Sequence, residues 1–507
     1  MTSNRPDPGK SQFDLDRLLQ SGRFDESIAL AQRAAAATPG DAAAWAVLAG
    51  VLFASRRPDA ALQAWTRALA LRPGDPVLLC GLANVLRSLS RIGEARALML
   101  QALAADDASF EARFGLASLA LEAGDWDQAE VLAAPLAGDL PQLAWLRART
   151  ALGRSDLAAA RERTAALLED RRLGPEQRAD GLLMLSEALD GLDRTAEAFA
   201  AAVEGKAIQR RLYAQRAAGR EAEVDKLRRL DAWFAAADPA AWRTAPAEIT
   251  VKGQAAGHAF LLGFPRSGTT LLEQALAGHS RVVALEEAPT LVDAYDAFLS
   301  TPAGLERLAR LSAEEAQAWR ARYWQDVRTF GADVGGRLFL DKAPAGTLYL
   351  PLIAKLFPSA KVLFALRDPR DVTLSCLRNN FQINAMTYAF TDLVQTAACY
   401  DACMAMARTY RAMLSLDLLQ VRHEALVQNF AGGLAAVASF LGLVMEPVML
   451  DVAATARARV VRTPSAGQVR AGLSRRGLGR WRAYAPQLAP VMGTLAPWVA
   501  RFGYEPD

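Results

Sequence analysis

The residues best placed to do chemistry begin at the end of a short apolar run, Ala259-Phe260-Leu261-Leu262-Gly263-Phe264. It leads into Pro265-Arg266-Ser267-Gly268-Thr269-Thr270, and a helical apolar run from Leu271 to Leu276 follows. Strand, tight loop, helix is the order that aims backbone N–H groups and a helix N-terminus at an anion. Gly263 and Gly268 hold the two glycine places of G-x-x-x-x-G-K-[ST], but Thr269 stands where the lysine would be. A nucleoside triphosphatase sets that lysine on the β- and γ-phosphates, so its loss argues against such an enzyme. Arg266 is then the cation of the loop, which suits a smaller anionic group handled without a metal. The bland alternative is a strand–helix turn with no ligand. Two glycines, an arginine and the hydroxyls of Ser267, Thr269 and Thr270 weigh against it.

Further chemistry-bearing residues also follow strand-like runs. Lys361 to Leu366 ends in Arg367-Asp368-Pro369-Arg370-Asp371, with Ser375 eight residues after Arg367. Val282 to Leu285 ends in Glu286-Glu287, the latter 21 residues after Arg266. Leu338 to Leu340 ends in Asp341-Lys342-Ala343-Pro344, and Val421-Arg422-His423-Glu424-Ala425-Leu426 lies further on. Singly, these read as a salt-bridge turn, a capping pair near Pro289 and an exposed strand-end lysine. Together they fall where α/β folds bind ligands, at the carboxyl ends of strands. Ser375 would sit about two turns into the helix after Arg367.

Elements that could hold these residues fall into two halves. In the first, Pro39-Gly40-Asp41 recurs 34 residues later as Pro73-Gly74-Asp75, and Asp107 falls 34 residues on. Leu48, Leu82 and Leu116 share that register, as do Ala49, Ala83 and Ala117, and Ala61, Ala95 and Ala129. Small residues at fixed places let paired helices cross closely, and the turn resets the chain. This pattern resembles the tetratricopeptide repeat. Residues 140–206 read as further, more degenerate pairs. Residues 206–254 are rich in arginine and alanine and read as one long helix ending near Ala236, with a solvated basic face, then a connector. Strands near Ala259, Val282, Leu338, Lys361 and Leu418 alternate with helical stretches thereafter.

The loop Pro265 to Thr270, with Arg367 and Ser375 behind it, resembles the sulfotransferases that use 3′-phosphoadenylyl sulfate (PAPS). Within them it is most similar to protein-tyrosine sulfotransferases and bacterial repeat-containing relatives. The resemblance covers roughly 255–485; the repeat array is absent from the animal enzymes. It implies that Arg266, Ser267, Gly268, Thr269 and Thr270 bind the 5′-phosphosulfate, and that Arg367 and Ser375 clamp the 3′-phosphate. It implies Glu287 as catalytic base, Lys342 as transition-state cation in a motif where Asp341 replaces an asparagine, and Ser465 as a donor at the same centre. His423 takes the place of a nucleotide-contacting tyrosine, Arg480 that of a lysine, and Asn379 that of an arginine, with Arg378 one place away.

The expected fold is therefore an α-helical solenoid of tetratricopeptide-like repeats (1–205), a helical linker (206–254) and an α/β P-loop-like domain with a mainly parallel sheet (255–507). The expected reaction moves the sulfuryl group of PAPS, as co-substrate and with no metal, to a hydroxyl, foremost a protein tyrosine. A saccharide or small-molecule acceptor, a P-loop kinase, and a binding scaffold with an inactive transferase half are the alternatives. The array would hold a peptide or protein acceptor, or a second copy of the chain. Composition agrees with this. With 58 basic and 55 acidic residues in 507, the net charge of +3 argues against a bulk nucleic-acid binder. Four cysteines are too few for a disulfide framework, and three scattered histidines make no metal pattern. Cys399 and Cys403, four apart on a helical run, are expected to stay unbridged. A polar start with no secretory signal, and no apolar run long enough to span a membrane, suggest a cytoplasmic protein.

Overall fold

The structure, a computed structural model, describes residues 15, 17–18, 23–55, 57–89, 91–459, 466–470 and 472–506. It forms two compact units, Met1–Arg163 and Thr164–Asp507. The division of the sequence at 205 and 254 follows repeat and motif signals rather than compactness.

The first unit is a run of antiparallel helix pairs, including Ala42–Ala54 with Pro58–Leu71, Pro76–Ser88 with Ile92–Ala105, and Phe110–Ala123 with Trp126–Ala133. The period of 34 has a physical basis at each repeat. Asp41, Asp75 and Ser109 cap successive helices by accepting backbone N–H bonds. Ala49, Ala83, Ala117, Ala61, Ala95 and Ala129 are all fully buried where helices cross. A larger residue there overpacks the crossing, at about 1–3 kcal/mol. Gly81 and Gly115 repeat the same logic. A Cβ on Gly81 would run into the Trp65 ring, and one on Gly115 into Met99.

The second unit is built on five parallel strands in the order β2-β3-β1-β4-β5. They are β1 (Gly257–Gly263), β2 (Val282–Glu286), β3 (Leu338–Lys342), β4 (Lys361–Leu366) and β5 (Asp417–Arg422). These begin within two residues of the expected places. Alternate residues feed two cores, as the pleat requires. Phe260, Leu262, Phe339 and Val362 pack with Leu227 and Phe234 on one face. Ala259, Leu261, Leu340 and Leu363 pack with Leu272 and Leu434 on the other. The single long helix expected before Ala236 is two, Thr195–Ala217 and Glu223–Ala236. Gly219 at φ +75° turns the chain between them. Neither helix is merely a solvated basic surface, since Lys206, Val224 and Leu230 are buried.

Candidate active site

A parallel sheet puts every strand's carboxyl end on one edge, so the residues after β1, β2, β3, β4 and β5 converge there. The strand order reverses between β1 and β4, and this crevice is the usual ligand place in open α/β sheets. Gly263 ends β1 so close to β4 that a Cβ would lie 2.6 Å from the Ala365 carbonyl oxygen. Gly268, at φ +93°, caps the helix Thr269–Ala277. A Cβ there would lie 2.3 Å from His423 Nδ1, so a side chain would fill the cradle between the loop and β5. Ser267, Thr269 and Thr270 are buried around this turn.

Two guanidiniums meet in the crevice. Arg266 Nε donates to Ser375 Oγ at 2.9 Å, and Arg367 Nη1 donates to the Arg266 carbonyl at 3.0 Å. Both arginines are buried. Burial, reinforced by the Arg367 charge, pushes Arg266 down to about 10. Burial, with Arg367 and Arg266 adding to it, pushes His423 down to about 3, so its imidazole is neutral. Arg367 Nε and His423 Nδ1 are buried with no hydrogen-bond partner. Such orphaned groups around two like charges fit an absent anion. Asp371, raised to about 6 chiefly by burial, accepts from the Gly479 and Trp481 amides and thereby holds residues 479–481 beside Arg367.

A second cluster lies at the ends of β2 and β3. Lys342 is fully buried. Its Nζ lies 2.8 Å from Glu287 Oε1, 3.3 Å from Glu286 Oε1 and 3.4 Å from Glu273 Oε2. Burial opposes the ammonium, but Glu273, Glu287 and Glu286 outweigh it, and its pKa is raised. Burial raises the Glu273 carboxyl. Glu287 adopts φ +52°, and its side chain is 47% exposed, so the carboxylate is tethered yet open to an incoming group. Among the described residues, four non-glycine residues have positive φ, and Arg266 and Glu287 are two of them. This conformation costs about 1–3 kcal/mol and collects at functional sites. Behind Lys342, Asp341 Oδ2 accepts from Thr290 Oγ1 at 2.7 Å and Tyr323 OH at 2.8 Å, and His258 Nε2 meets the same phenol.

The structure thus gathers Arg266, Arg367, Ser375, Gly268 and His423 in one group, and Lys342 with Glu287 in another. Arg480 faces elsewhere. Its guanidinium lies 3.0 Å from Asp190 and 2.8 Å from Asp193. Ser465 lies outside the described residues. Sequence reasoning missed Glu273 and Lys206. At Asn379, where the resemblance implies an arginine, the backbone carbonyl accepts from Lys206 Nζ at 2.7 Å. One signal was available. Only seven of the 58 basic residues are lysines, so a lysine in the middle of this helix, among the alanines and arginines around it, stands out. Cys80, Cys376, Cys399 and Cys403 are buried free thiols.

Residues 259–447 match the family described as "Sulfotransferase family", and residues 15–76 and 80–139 match the tetratricopeptide repeat. The chain therefore carries a sulfotransferase-family domain together with tetratricopeptide repeats. It is similar to a protein of Aquifex aeolicus (strain VF5) described as uncharacterized, 29% identical over 247 residues that make up 46% of this chain and 32% of that protein. It is also similar to nodulation protein NoeE of Sinorhizobium fredii (strain NBRC 101917 / NGR234), 35% identical over 131 residues, 23% of this chain and 30% of that one. Protein-tyrosine sulfotransferase 2 of Gallus gallus is 25% identical over 269 residues, 49% of this chain and 69% of that enzyme. The chain spans about a third of the length of the first two relatives.

Proposed function

We propose that this protein transfers the sulfuryl group of PAPS to a protein tyrosine. The observation that carries the reading is the pairing of two clusters on one sheet edge. One is a buried, positively charged crevice in which the Arg367 Nε–H has no partner. The other is an exposed carboxylate held by a buried lysine. PAPS would supply the activated sulfuryl group, with adenosine 3′,5′-bisphosphate as its leaving group. Arg266, Ser267, Gly268, Thr269 and Thr270 would hold the 5′ end, and Arg367 and Ser375 the 3′-phosphate. Neutral His423 packs against the glycine turn and leaves the crevice's charge to the arginines.

Glu287 takes the acceptor's hydroxyl proton on its carboxylate. A phenol, with a pKa near 10, gives up that proton more readily than an alkyl hydroxyl, which suits a single carboxylate base. Lys342 and Arg266 stabilise charge that develops on the leaving oxygen, as preorganised cations in a dry site do. Ser465 would add a donor at the same centre, as the resemblance implies, whereas Arg480 is engaged by Asp190 and Asp193 and takes no part in this proposal. The protein-tyrosine sulfotransferase relative supports the tyrosine acceptor, and the repeats (1–205) are proposed to hold that peptide, joined by 206–254 to the transfer half (255–507). No helix among the described residues is long and apolar enough to cross a membrane; we place the reaction in the cytoplasm. Incubating the chain with sulfur-labelled PAPS and a host lysate tests the acceptor. Label migrating with protein and surviving as tyrosine sulfate is expected, and label only in saccharides or small molecules overturns the tyrosine assignment.

A further inference from the structure

Lys206 is the middle residue of the helix Thr195–Ala217, well upstream of every motif in the transfer half. Its side chain is fully buried. The ammonium donates to the Asn379 carbonyl at 2.7 Å and sits 5.6 Å above the Phe381 ring. Among the described residues no carboxylate makes an ion pair with it. Burial pushes its pKa down to about 8. Burying an ammonium without a counter-charge costs several kcal/mol, so the position calls for a reason.

Asn379 gives one. Its Nδ2 donates to the Ser375 carbonyl at 2.7 Å and to Ser375 Oγ at 3.2 Å, the same hydroxyl that accepts from Arg266. Lys206, Asn379, Ser375 and Arg266 therefore form one hydrogen-bonded line into the crevice. Buried Cys376 lies among the three cations. Burial pushes its thiol up to about 12, against the pull of Arg266, Lys206 and Arg367. The neighbouring residues of the same helix face tie it to the same loop. Gln209 bonds Asn380 at 2.8 Å, and Arg210 lies over the Tyr388 ring.

We propose that Lys206 is a positioning residue for the 3′-phosphate of the nucleotide, holding Asn379 and Ser375 in place and adding a third buried positive charge beside Arg266 and Arg367. The helix upstream of the sheet is then part of the nucleotide site. This rests on the PAPS reading above, and the test separates the two. Calorimetry on the full chain compares adenosine 3′,5′-bisphosphate with adenosine 5′-monophosphate, which lacks the 3′-phosphate. Wild-type chain that fails to prefer the bisphosphate overturns the PAPS reading and, with it, this inference. Lys206→Met swaps a buried cation for an apolar chain of similar length, so its thermal midpoint should hold or rise. Its affinity for the bisphosphate should fall roughly tenfold or more, the usual loss with a charge-assisted contact, while monophosphate binding stays nearly unchanged. Should that variant melt early, Lys206→Gln keeps a donor for Asn379 without the charge, and the same selective loss is expected. Equal loss of both nucleotides, or wild-type bisphosphate affinity in a folded variant, overturns the proposal.

Discussion

Lys342 touches three carboxylates with one ammonium, and that single residue holds the second cluster together. Lys342→Met would leave Glu273, Glu286 and Glu287 crowded with their shared cation gone. Removing one partner of a buried ion pair costs about 3–5 kcal/mol, which urea unfolding would read, and transfer should be lost as well. Glu287 and Lys342 were legible because each follows a strand at a recognisable spacing from the loop. Glu273 was not, because it looks like an ordinary residue of an apolar helix until the sheet brings Lys342 beneath it. Asp341 makes a pH prediction. Burial raises its carboxyl from 3.8 to about 6, against the bonds from Thr290 and Tyr323. The folded state thus favours the protonated form, and that stabilisation is present below about pH 4 and lost as pH rises through 6. The difference corresponds to on the order of 3 kcal/mol. Asp341→Asn cannot ionise, so its stability relative to wild type should gain by about that amount between pH 3 and pH 8. His258, pushed down to about 3 by burial, destabilises both proteins alike in acid and cancels in the comparison. A pH-independent difference in thermal midpoint would contradict this.

At the scale of elements, the helices Pro175–Gly191 and Thr195–Ala217 are fastened to the sheet's carboxyl edge through a small polar hub. Asp190 lies 3.0 Å from both Arg378 and Arg480 and accepts from Tyr484 OH at 2.6 Å. Burial opposes its ionised form, but Arg378, the Tyr484 bond and Arg480 prevail and hold its pKa below the usual range. Asp190→Ala should therefore cost about 3 kcal/mol in unfolding free energy, mostly from two guanidiniums left short of a partner. A loss within ~0.5 kcal/mol, the ordinary surface value, would show that the hub does not fasten these helices. The sequence could not reveal this hub. Apolar spacing over 175–217 says that one face is buried but not against what, and Asp190 and Arg480 are 290 residues apart. The strands were legible for the opposite reason. The inner strands β1, β3 and β4 are short apolar runs, buried on both faces, that end at motifs, and the half-buried edge strands β2 and β5 still end at theirs. Arg480 shows the limit of reasoning from motif position, since the side chain's direction depends on two acidic residues nearly three hundred positions away.

For the whole molecule, the two compact units set what can be removed. The boundary at Arg163 lies within the helix Leu157–Leu168. A chain beginning at Leu157 should bind adenosine 3′,5′-bisphosphate like the full protein. One beginning at Ala222 keeps Leu227 and Phe234 in the core but should lose that affinity with the Lys206 helix, and equal binding by both would contradict this. Repeats and transfer domain were legible from period and motif, whereas the partner of the array was not, because the repeated positions are packing positions. On the proposed function, one cluster binds the nucleotide and the other performs the transfer. The most direct test is calorimetry with adenosine 3′,5′-bisphosphate, paired with transfer from sulfur-labelled PAPS, on wild type, Arg367→Ala and Glu287→Gln. Arg367→Ala should bind the bisphosphate roughly ten- to a hundredfold more weakly. Glu287→Gln should bind it nearly normally yet transfer about 10²–10⁴ more slowly, the share of a positioned base. Transfer at the wild-type rate by Glu287→Gln, or nucleotide loss as large as that of Arg367→Ala, would contradict the claim.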